Sequence, residues 1–229
     1  MKAAPAARLW AVVGIAGGLA LGALALPRLA AGLAAIPAGP ALEATRAGER
    51  ATASSLDAAV GALDRSLAIV PDSQGFADLA LLRWEQARRA GLASPEGAAL
   101  ADMSLAALDR AIARNPSHPV VWTRRTQIGL VRHGIDDTLA SDLTLALRTA
   151  PYDRVVVMPR LEIALIAWSR LDEGQRALVR EQVRLAARLD APALARIVRR
   201  RFAVGIAREA LAQDPELEAV FERAYARRS

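Results

Sequence analysis

Four arginines near the C-terminal end of the chain are the residues best suited to bind a charged ligand: Arg196, Arg199, Arg200 and Arg201. Helical spacing places Arg196 and Arg200 on one face, keeps Arg199 on that side and turns Arg201 away. Guanidinium groups clustered in this way form charge-assisted hydrogen bonds with a phosphate, a lipid headgroup or an acidic glycan. The favoured interpretation is nevertheless a solvated helix face whose arginines pair with Glu209 and other nearby acids. Because aromatic residues are not interleaved within the cluster, nucleic acid is not an expected partner.

The residue types that usually carry catalysis are few in this chain. Cysteine is absent, which excludes thiolate metal sites and cysteine nucleophiles. His118 and His133 are fifteen residues apart without the acidic pattern of a zinc site, and a structural role is expected for both. Asp136 and Asp137 fit a helix cap better than a cation site, and Glu162 is expected to be exposed or to face a groove. The sequence therefore predicts no catalytic, cofactor-binding or metal-binding residue, and a protein that is not an enzyme.

Three tryptophans, Trp84, Trp122 and Trp168, fall in three successive outgoing helices of the pattern described below. A place in the core is the expectation favoured for each, because a large ring contributes most when it is buried. The alternative is that they line a groove and stack against a ligand.

The N-terminal segment contains an uncharged apolar run from residue 9 to residue 26. About 18 helical residues extend roughly 27 Å, close to the hydrocarbon thickness of a bilayer. Lys2 and Arg8 precede the run and Arg28 follows it, so the positive-inside rule puts the N-terminus in the cytoplasm. Residues 1–28 are thus predicted to be a membrane anchor; a cleaved signal peptide and a buried helix are the alternatives.

Small residues within this run have the spacing of a helix-pairing face. Gly14, Gly18 and Gly22 are four residues apart, as in the small-xxx-small pattern of membrane helices. An alanine- and glycine-rich span without a pairing face is the favoured interpretation. Residues 29–42, with Pro37, Gly39 and Pro40, are predicted to be a linker.

Residues 43–229 are predicted to be entirely α-helical. Apolar residues recur at helical spacing, and alanine, leucine, arginine and glutamate are abundant. Polar caps followed by acidic or proline residues mark the helix starts, for example at Ser94, Asp172 and Asp214. A helix is expected from Asp190 to Leu211, and Pro159 is expected at the start of its helix because proline inside would remove a backbone hydrogen bond.

One unit of sequence recurs along this region. Ala62-Leu-Asp-Arg65 precedes Pro71, and forty-five positions later Ala107-Leu-Asp-Arg110 precedes Pro116, with Val121-Trp122 beyond it. A weaker copy ends at Pro151, thirty-five residues after Pro116. The pattern resembles the tetratricopeptide (TPR) family, over about 54–150 with an echo at the C-terminus. The resemblance implies antiparallel helical hairpins that hold protein segments in a concave groove and generally lack catalysis.

Topology, repeat and the scarcity of catalytic groups together predict a single-pass protein of a bacterial inner membrane with a periplasmic TPR-like domain. It is expected to be a scaffold or assembly factor of an envelope machine, such as polysaccharide synthesis and export or cytochrome maturation. Its expected partners are envelope proteins and, through residues 9–26, the bilayer. The alternatives are an accessory module that binds an acidic glycan or phosphate through residues 196–201, and a hydrolase or transferase with an unrecognised site.

Overall fold

The computed structural model describes residues 4–227, with side-chain surroundings for residues 14–118 and 120–227. Every regular element of that part of the chain is helical, which confirms the predicted all-α class, whereas the type of repeat stays a prediction. Lys2, used above to orient the N-terminal segment, lies outside the described residues. The α-helices are, in order, α1 (Ala4–Ala35), α2 (Gly39–Arg46), α3 (Ala53–Ile69), α4 (Ser73–Ala90), α5 (Pro95–Arg114), α6 (Pro119–His133), α7 (Asp137–Thr149), α8 (Arg154–Ala167), α9 (Glu173–Arg200), α10 (Val204–Leu211) and α11 (Pro215–Ala226).

Polar side chains begin many of these helices, as the sequence indicates. Asp72, Asp136, Asp172 and Asp214 each accept a hydrogen bond from the backbone N–H three residues further on, and Ser94 does the same at the start of α5. These bonds satisfy N–H groups that have no partner within their own helix. The predicted starts at Ser94, Asp136, Asp172 and Asp214 are therefore confirmed together with the physical reason for them, whereas α4 begins at Ser73, one residue before the expected Gln74.

Proline interrupts the helices less than the sequence suggests. α1 continues through Pro27, and residues 29–42, predicted to be a linker, are helical throughout, in the end of α1, a 3-10 turn and α2. The expectation for Pro159 is wrong, because this proline lies inside α8. Its ring leaves the carbonyl of Val155 without a helical donor. The 73% exposure of Val155 keeps this position near water, which can supply the missing hydrogen bond.

The helix expected from Asp190 to Leu211 is divided in two. α9 is kinked at Asp190 (φ −161°, ψ 82°), whose side chain accepts a hydrogen bond from the N–H of Ala193 at 2.8 Å. A helical segment therefore begins there as predicted, but α9 ends at Arg200 and α10 begins only at Val204. The break is caused by Phe202, whose φ of +53° is incompatible with a right-handed helix.

The chain divides into two compact units, Met1–Ala107 and Leu108–Ser229, called here the N-terminal and the C-terminal unit. In the N-terminal unit the end of α1 packs against α3, and α3 packs against α4. Asp64 pairs with Arg83 at 3.3 Å, and Asp57 accepts a hydrogen bond from Gln86 at 2.6 Å, so α3 and α4 are antiparallel. Their shared core consists of Leu56, Val60, Leu63, Phe76, Leu79 and Leu82.

In the C-terminal unit, α8 and α9 carry most of the packing. α8 packs against α6, α7 and α9, while α9 also packs against α10 and α11. Apolar residues at helical spacing form one continuous core because each helix directs a stripe of them inward. Its fully buried members include Leu143, Leu161, Val179, Val183, Leu194, Leu211 and Phe221.

α1 combines a long apolar surface with a packed end. The stretch Gly14–Arg46 is the one candidate membrane span among the described residues, and its most apolar window is only 6% buried. Large apolar side chains from Ile15 to Ile36 are 58–70% exposed, which in water would be an unfavourable surface. Ala31, by contrast, is only 6% exposed, because the end of α1 packs against the rest of the N-terminal unit. The helix is therefore long and apolar enough to cross a bilayer, by length and composition.

Candidate binding groove

A groove of about 610 Å³ lies on α8 of the C-terminal unit. α6 and α9 both pack against α8 but hardly against each other, so the space above α8 stays open between them. Its apolar lining comes from all three helices: Leu130 and Val131 from α6; Met158, Ile163 and Ile166 from α8; Ile197 from α9. Charged side chains line it too: Glu162 from α8, between Met158 and Ile166, and arginines near the end of α9. The result is an aliphatic groove that contains a charged cluster.

Three of the four predicted arginines line this groove, and two of them pair with one acid, Glu162. Arg200 lies 3.0 Å from Glu162 Oε1, and Arg201 approaches the same oxygen at 2.5 Å through Nη2 and 3.1 Å through Nε. Arg196 lines the groove without an ion pair or hydrogen bond of its own among the described residues. The expectation that Arg201 turns away is wrong, because the helix ends at Arg200 and the chain there bends back toward Glu162.

Arg199 is not part of this group. Its Nη2 donates hydrogen bonds to the carbonyls of Ala224, Tyr225 and Arg227, at 3.1, 2.7 and 2.9 Å. Its Cζ lies 5.0 Å from the centre of the Tyr225 ring. A cation at this position satisfies the last carbonyls of α11 and interacts favourably with the negative end of that helix. Arg199 therefore holds α11 against α9 through its Nη2 group and does not line the groove.

The charge balance of the groove is positive. Arg196, Arg200 and Arg201 bring three positive charges and Glu162 one negative charge, which leaves an excess of two. Arg196 and Arg200 are exposed, so their charges are accessible to a ligand. Glu209, the predicted partner of the cluster, instead pairs with Arg180 at 3.1 Å. The acid that balances the cluster is Glu162, thirty-eight residues before Arg200 in the sequence.

The tryptophans lie outside this groove. Trp84, in the N-terminal unit, is half-buried in α4. Trp122 donates a hydrogen bond from Nε1 to the carbonyl of Pro116 at 2.7 Å, which fixes the turn before α6. Trp168 lies beneath Arg176 and Arg180, whose Cζ atoms are 5.5 and 5.7 Å from the ring centre. Such cation–π contacts cover the ring, and among the described residues no aromatic side chain lines the groove.

The histidines and the acidic pair also lie away from any shared site. His118 precedes α6 and His133 ends it, so fifteen helical residues, or roughly 20 Å, separate them. Asp136 caps α7, as expected, and Asp137 is the first residue of that helix. Within the described residues no group of three or more His, Cys, Asp or Glu side chains could hold a metal ion.

A buried arginine that the sequence analysis did not single out organises the other side of α8. Arg160 is fully buried and donates hydrogen bonds to the carbonyls of Ala146 and Ala150 and to Gln182 Oε1. Burial lowers its pKa to about 10, so it stays charged at neutral pH. The carbonyls belong to the C-terminal end of α7, where a cation is favoured. The signal in the sequence was its position on the apolar face of α8, one residue before Leu161.

A second charged pair connects α6 with α7. Arg125 pairs with the nearly buried Asp142 and, at 2.8 Å, with the exposed Asp109 of α5. Burial raises the pKa of Asp142, and the charge and hydrogen bond of Arg125 only partly counteract this. For Arg125, burial lowers the pKa, but the hydrogen bond with Asp109 and the charges of both acids more than offset this and raise it. This pair fixes helix packing and does not reach the groove.

No family model matches this chain, and neither a curated protein nor a solved structure matches it. What the groove binds has to follow from its own chemistry. The groove combines aliphatic side chains with a positively charged cluster. It therefore suits a ligand that is apolar along one side and has an acidic group.

Proposed function

We propose that this protein is a membrane-anchored scaffold whose groove receives a segment of a partner protein. The observation that carries the proposal is the groove on α8, with its aliphatic lining and a charged cluster that has an excess of two positive charges. An amphipathic peptide with an aspartate or glutamate complements it: its apolar face covers Val131, Met158 and Ile166, and its carboxylate approaches Arg196. The protein then acts by binding rather than by catalysis.

The choice of a peptide over a glycan follows from the lining. Acidic glycans are commonly held by flat aromatic rings together with cations, and aliphatic side chains offer a sugar little beyond contact area. The described lining of this groove is aliphatic, and Arg199, one of the four arginines proposed for glycan binding, is occupied by carbonyls of α11. The peptide is therefore the better fit of the two.

A TPR-like arrangement of helical hairpins is the architecture that we propose for this scaffold. Two equivalent positions of the recurring sequence unit support it. Asp64 pairs with Arg83 of the next helix in the N-terminal unit, and Asp109 pairs with Arg125 of the next helix in the C-terminal unit. The alanine–leucine pairs that precede these aspartates are buried in both copies. Each copy thus joins its helix to the next one through the equivalent aspartate and an arginine, although Arg83 is twelve residues after Pro71 and Arg125 nine residues after Pro116.

The cellular setting is also proposed. α1 anchors the chain in a bacterial inner membrane with the helical domain on the periplasmic side, where the partners are proteins of an envelope machine. Polysaccharide synthesis and export or cytochrome maturation are machines of the expected kind. Two fusions at the C-terminus test the compartment. Alkaline phosphatase, which is active outside the cytoplasm, is expected to be active. An inactive phosphatase fusion together with an active cytosolic reporter at the same position contradicts the periplasmic location.

The groove is tested with a phage-displayed library of random peptides selected against the full chain in detergent. We expect enriched peptides to combine apolar residues at helical spacing with an aspartate or glutamate. The best peptide is then synthesised, and its affinity is measured by fluorescence anisotropy. Arg196→Glu should weaken binding about tenfold, because a like charge would face the peptide's carboxylate.

A matched control separates the groove from general charge. Arg148 is an exposed arginine on α7 outside the groove, so Arg148→Glu makes the same charge change elsewhere on the same unit. It should leave the affinity within about twofold, since surface charges more than a Debye length away are screened. Equal losses of peptide affinity in the two variants would contradict a peptide site at the charged cluster of the groove. Enriched peptides without acidic residues would contradict it as well.

A further inference from the structure

The turn between α9 and α10 exposes a phenylalanine in a conformation that costs free energy. Phe202 is 95% exposed, more than any other large apolar side chain whose surroundings are described. Its φ of +53° makes it the only non-glycine residue of the described chain in the left-handed region. Left-handed backbone is unfavourable for residues with a Cβ atom, and an exposed ring gains nothing from burial to offset it.

The hydrogen bonds around Phe202 show which residue the fold itself would favour. The N–H of Ala203 donates to the carbonyl of Val198 at 2.9 Å, and the N–H of Phe202 donates to the carbonyl of Arg199 at 3.2 Å. This pair of bonds is the Schellman motif that ends a helix, and its left-handed position is usually glycine. Glycine would satisfy the same two carbonyls without strain. The stability of the fold therefore does not explain a phenylalanine here.

The surroundings of the ring are positively charged. Arg200 and Arg201 immediately precede it, and Arg196 lies one helical turn earlier. Glu162 compensates one of these charges, which leaves an excess of two. An exposed apolar ring beside a guanidinium cluster with a net positive charge has the composition of a contact with an anionic lipid surface, where the ring enters the headgroup boundary and the cations meet phosphates.

We propose that Phe202, with Arg200 and Arg201, forms a contact point for an anionic bilayer. One ring and two charges bind a membrane only weakly by themselves. The apolar helix α1 belongs to the same chain, so once it is anchored the contact becomes intramolecular and a weak affinity suffices. The inference rests on the membrane anchoring proposed above; Arg200 and Arg201 also line the peptide groove, whereas Phe202 does not.

The absence of cysteine allows a single reporter to be placed beside the ring. Gly205 is exposed on α10, and a Cβ atom there would meet nothing within 4 Å, so Gly205→Cys labelled with NBD keeps Phe202 in place. The full chain is reconstituted into nanodiscs that contain a doxyl-labelled quencher lipid. One set is phosphatidylcholine alone, and the other contains about a quarter phosphatidylglycerol. Quenching of NBD measures the contact.

The control reporter is Val155→Cys, which is 73% exposed and stands three residues from the other strongly exposed aromatic residue, Tyr152. We expect quenching at residue 205 in the anionic discs to exceed that at residue 155, and to fall about fivefold without phosphatidylglycerol. Phe202→Gly should reduce the quenching at residue 205 about as much, although this substitution relieves backbone strain.

Three outcomes would overturn the proposal. If the chain enters the discs but residue 205 is quenched no more than residue 155, the bilayer contact is wrong and the anchor stands. If Phe202→Gly leaves the quenching unchanged, the ring does not enter the lipid. A chain that does not co-elute with the discs at all overturns the anchor together with this contact, while the peptide groove keeps its own test.

Discussion

Replacing Arg160 with methionine removes a buried charge and its hydrogen bonds while keeping an apolar stem of similar length. The guanidinium donates to the carbonyl of Ala146, to Gln182 Oε1 at 2.7 Å, and more weakly to the carbonyls of Ala150 and Pro151 at 3.2 and 3.4 Å. Methionine can donate to none of these acceptors. The carbonyls at the end of α7 would lose their donor in a buried position, which is the costly case.

The size of the effect follows from two opposing contributions. The two short bonds from a charged donor contribute about 1.5–3 kcal/mol each, or about 3–6 kcal/mol together. Burial lowers the pKa of Arg160 from 12.5 to about 10, which corresponds to about 3 kcal/mol of unfavourable desolvation that methionine avoids. The free energy of unfolding should therefore fall by up to about 3 kcal/mol.

Urea unfolding followed by circular dichroism measures this change. Arg148→Met is the matched control, because Arg148 is exposed on α7, and it should stay within about 0.5 kcal/mol of the wild type. Combining Arg160→Met with Gln182→Met should cost less than the sum of the two single changes, since the residues share a bond. Strictly additive effects of the two changes, or a methionine variant more stable than the wild type, would refute the view that the guanidinium holds α7 against α8.

Phe202→Gly should leave the thermal midpoint unchanged or raise it, because relief of about 1–2 kcal/mol of left-handed strain exceeds or matches the added unfolded-state entropy of glycine; a lower midpoint would contradict this. Burial raises the pKa of Asp142 in the folded state above its ordinary value of 3.8. The free energy of unfolding of the wild type should therefore fall relative to that of Asp142→Asn as the pH rises through and above 3.8. Urea titrations across that range measure it, and a difference that is constant or has the opposite sign would reject the assignment. Gly97→Ala should cost about 1–3 kcal/mol, because its Cβ would lie 2.2 Å from the carbonyl oxygen of Gly91, whereas Gly129→Ala, with nothing within 4 Å, should gain up to about 1 kcal/mol. Equal effects of the two glycine changes in urea unfolding would show that the close approach at Gly97 is relieved elsewhere.

Local signals in the sequence predicted the helix starts well. Asp136, Asp172 and Asp214 act as caps in the structure because a cap depends only on residues three positions away. Proline was a weaker guide. Pro159 lies inside α8, where the carbonyl of Val155 that loses its helical donor is near the solvent-exposed start of the helix, a circumstance that depends on tertiary packing.

The groove could be predicted only in part. Helical spacing grouped Arg196 with Arg200, and both line it. The separation of Arg199 from them depends on α11, twenty-five residues further along, and the approach of Arg201 to Glu162 depends on the break at Phe202. Contacts over such distances have no local pattern. The same holds for Arg160, whose partners belong to α7 and α9.

The unbroken course of α1 has a geometric consequence for the proposed anchor. Because the helix continues through Pro27 until it packs on α3, the azimuth of Gly14, Gly18 and Gly22 is fixed relative to the N-terminal unit. One residue inserted at the membrane exit would rotate that glycine stripe by about 100° and shift it by about 1.5 Å, whereas seven would nearly restore its direction. Any neighbour that the span meets in the bilayer is thus met at an angle set by the domain outside it.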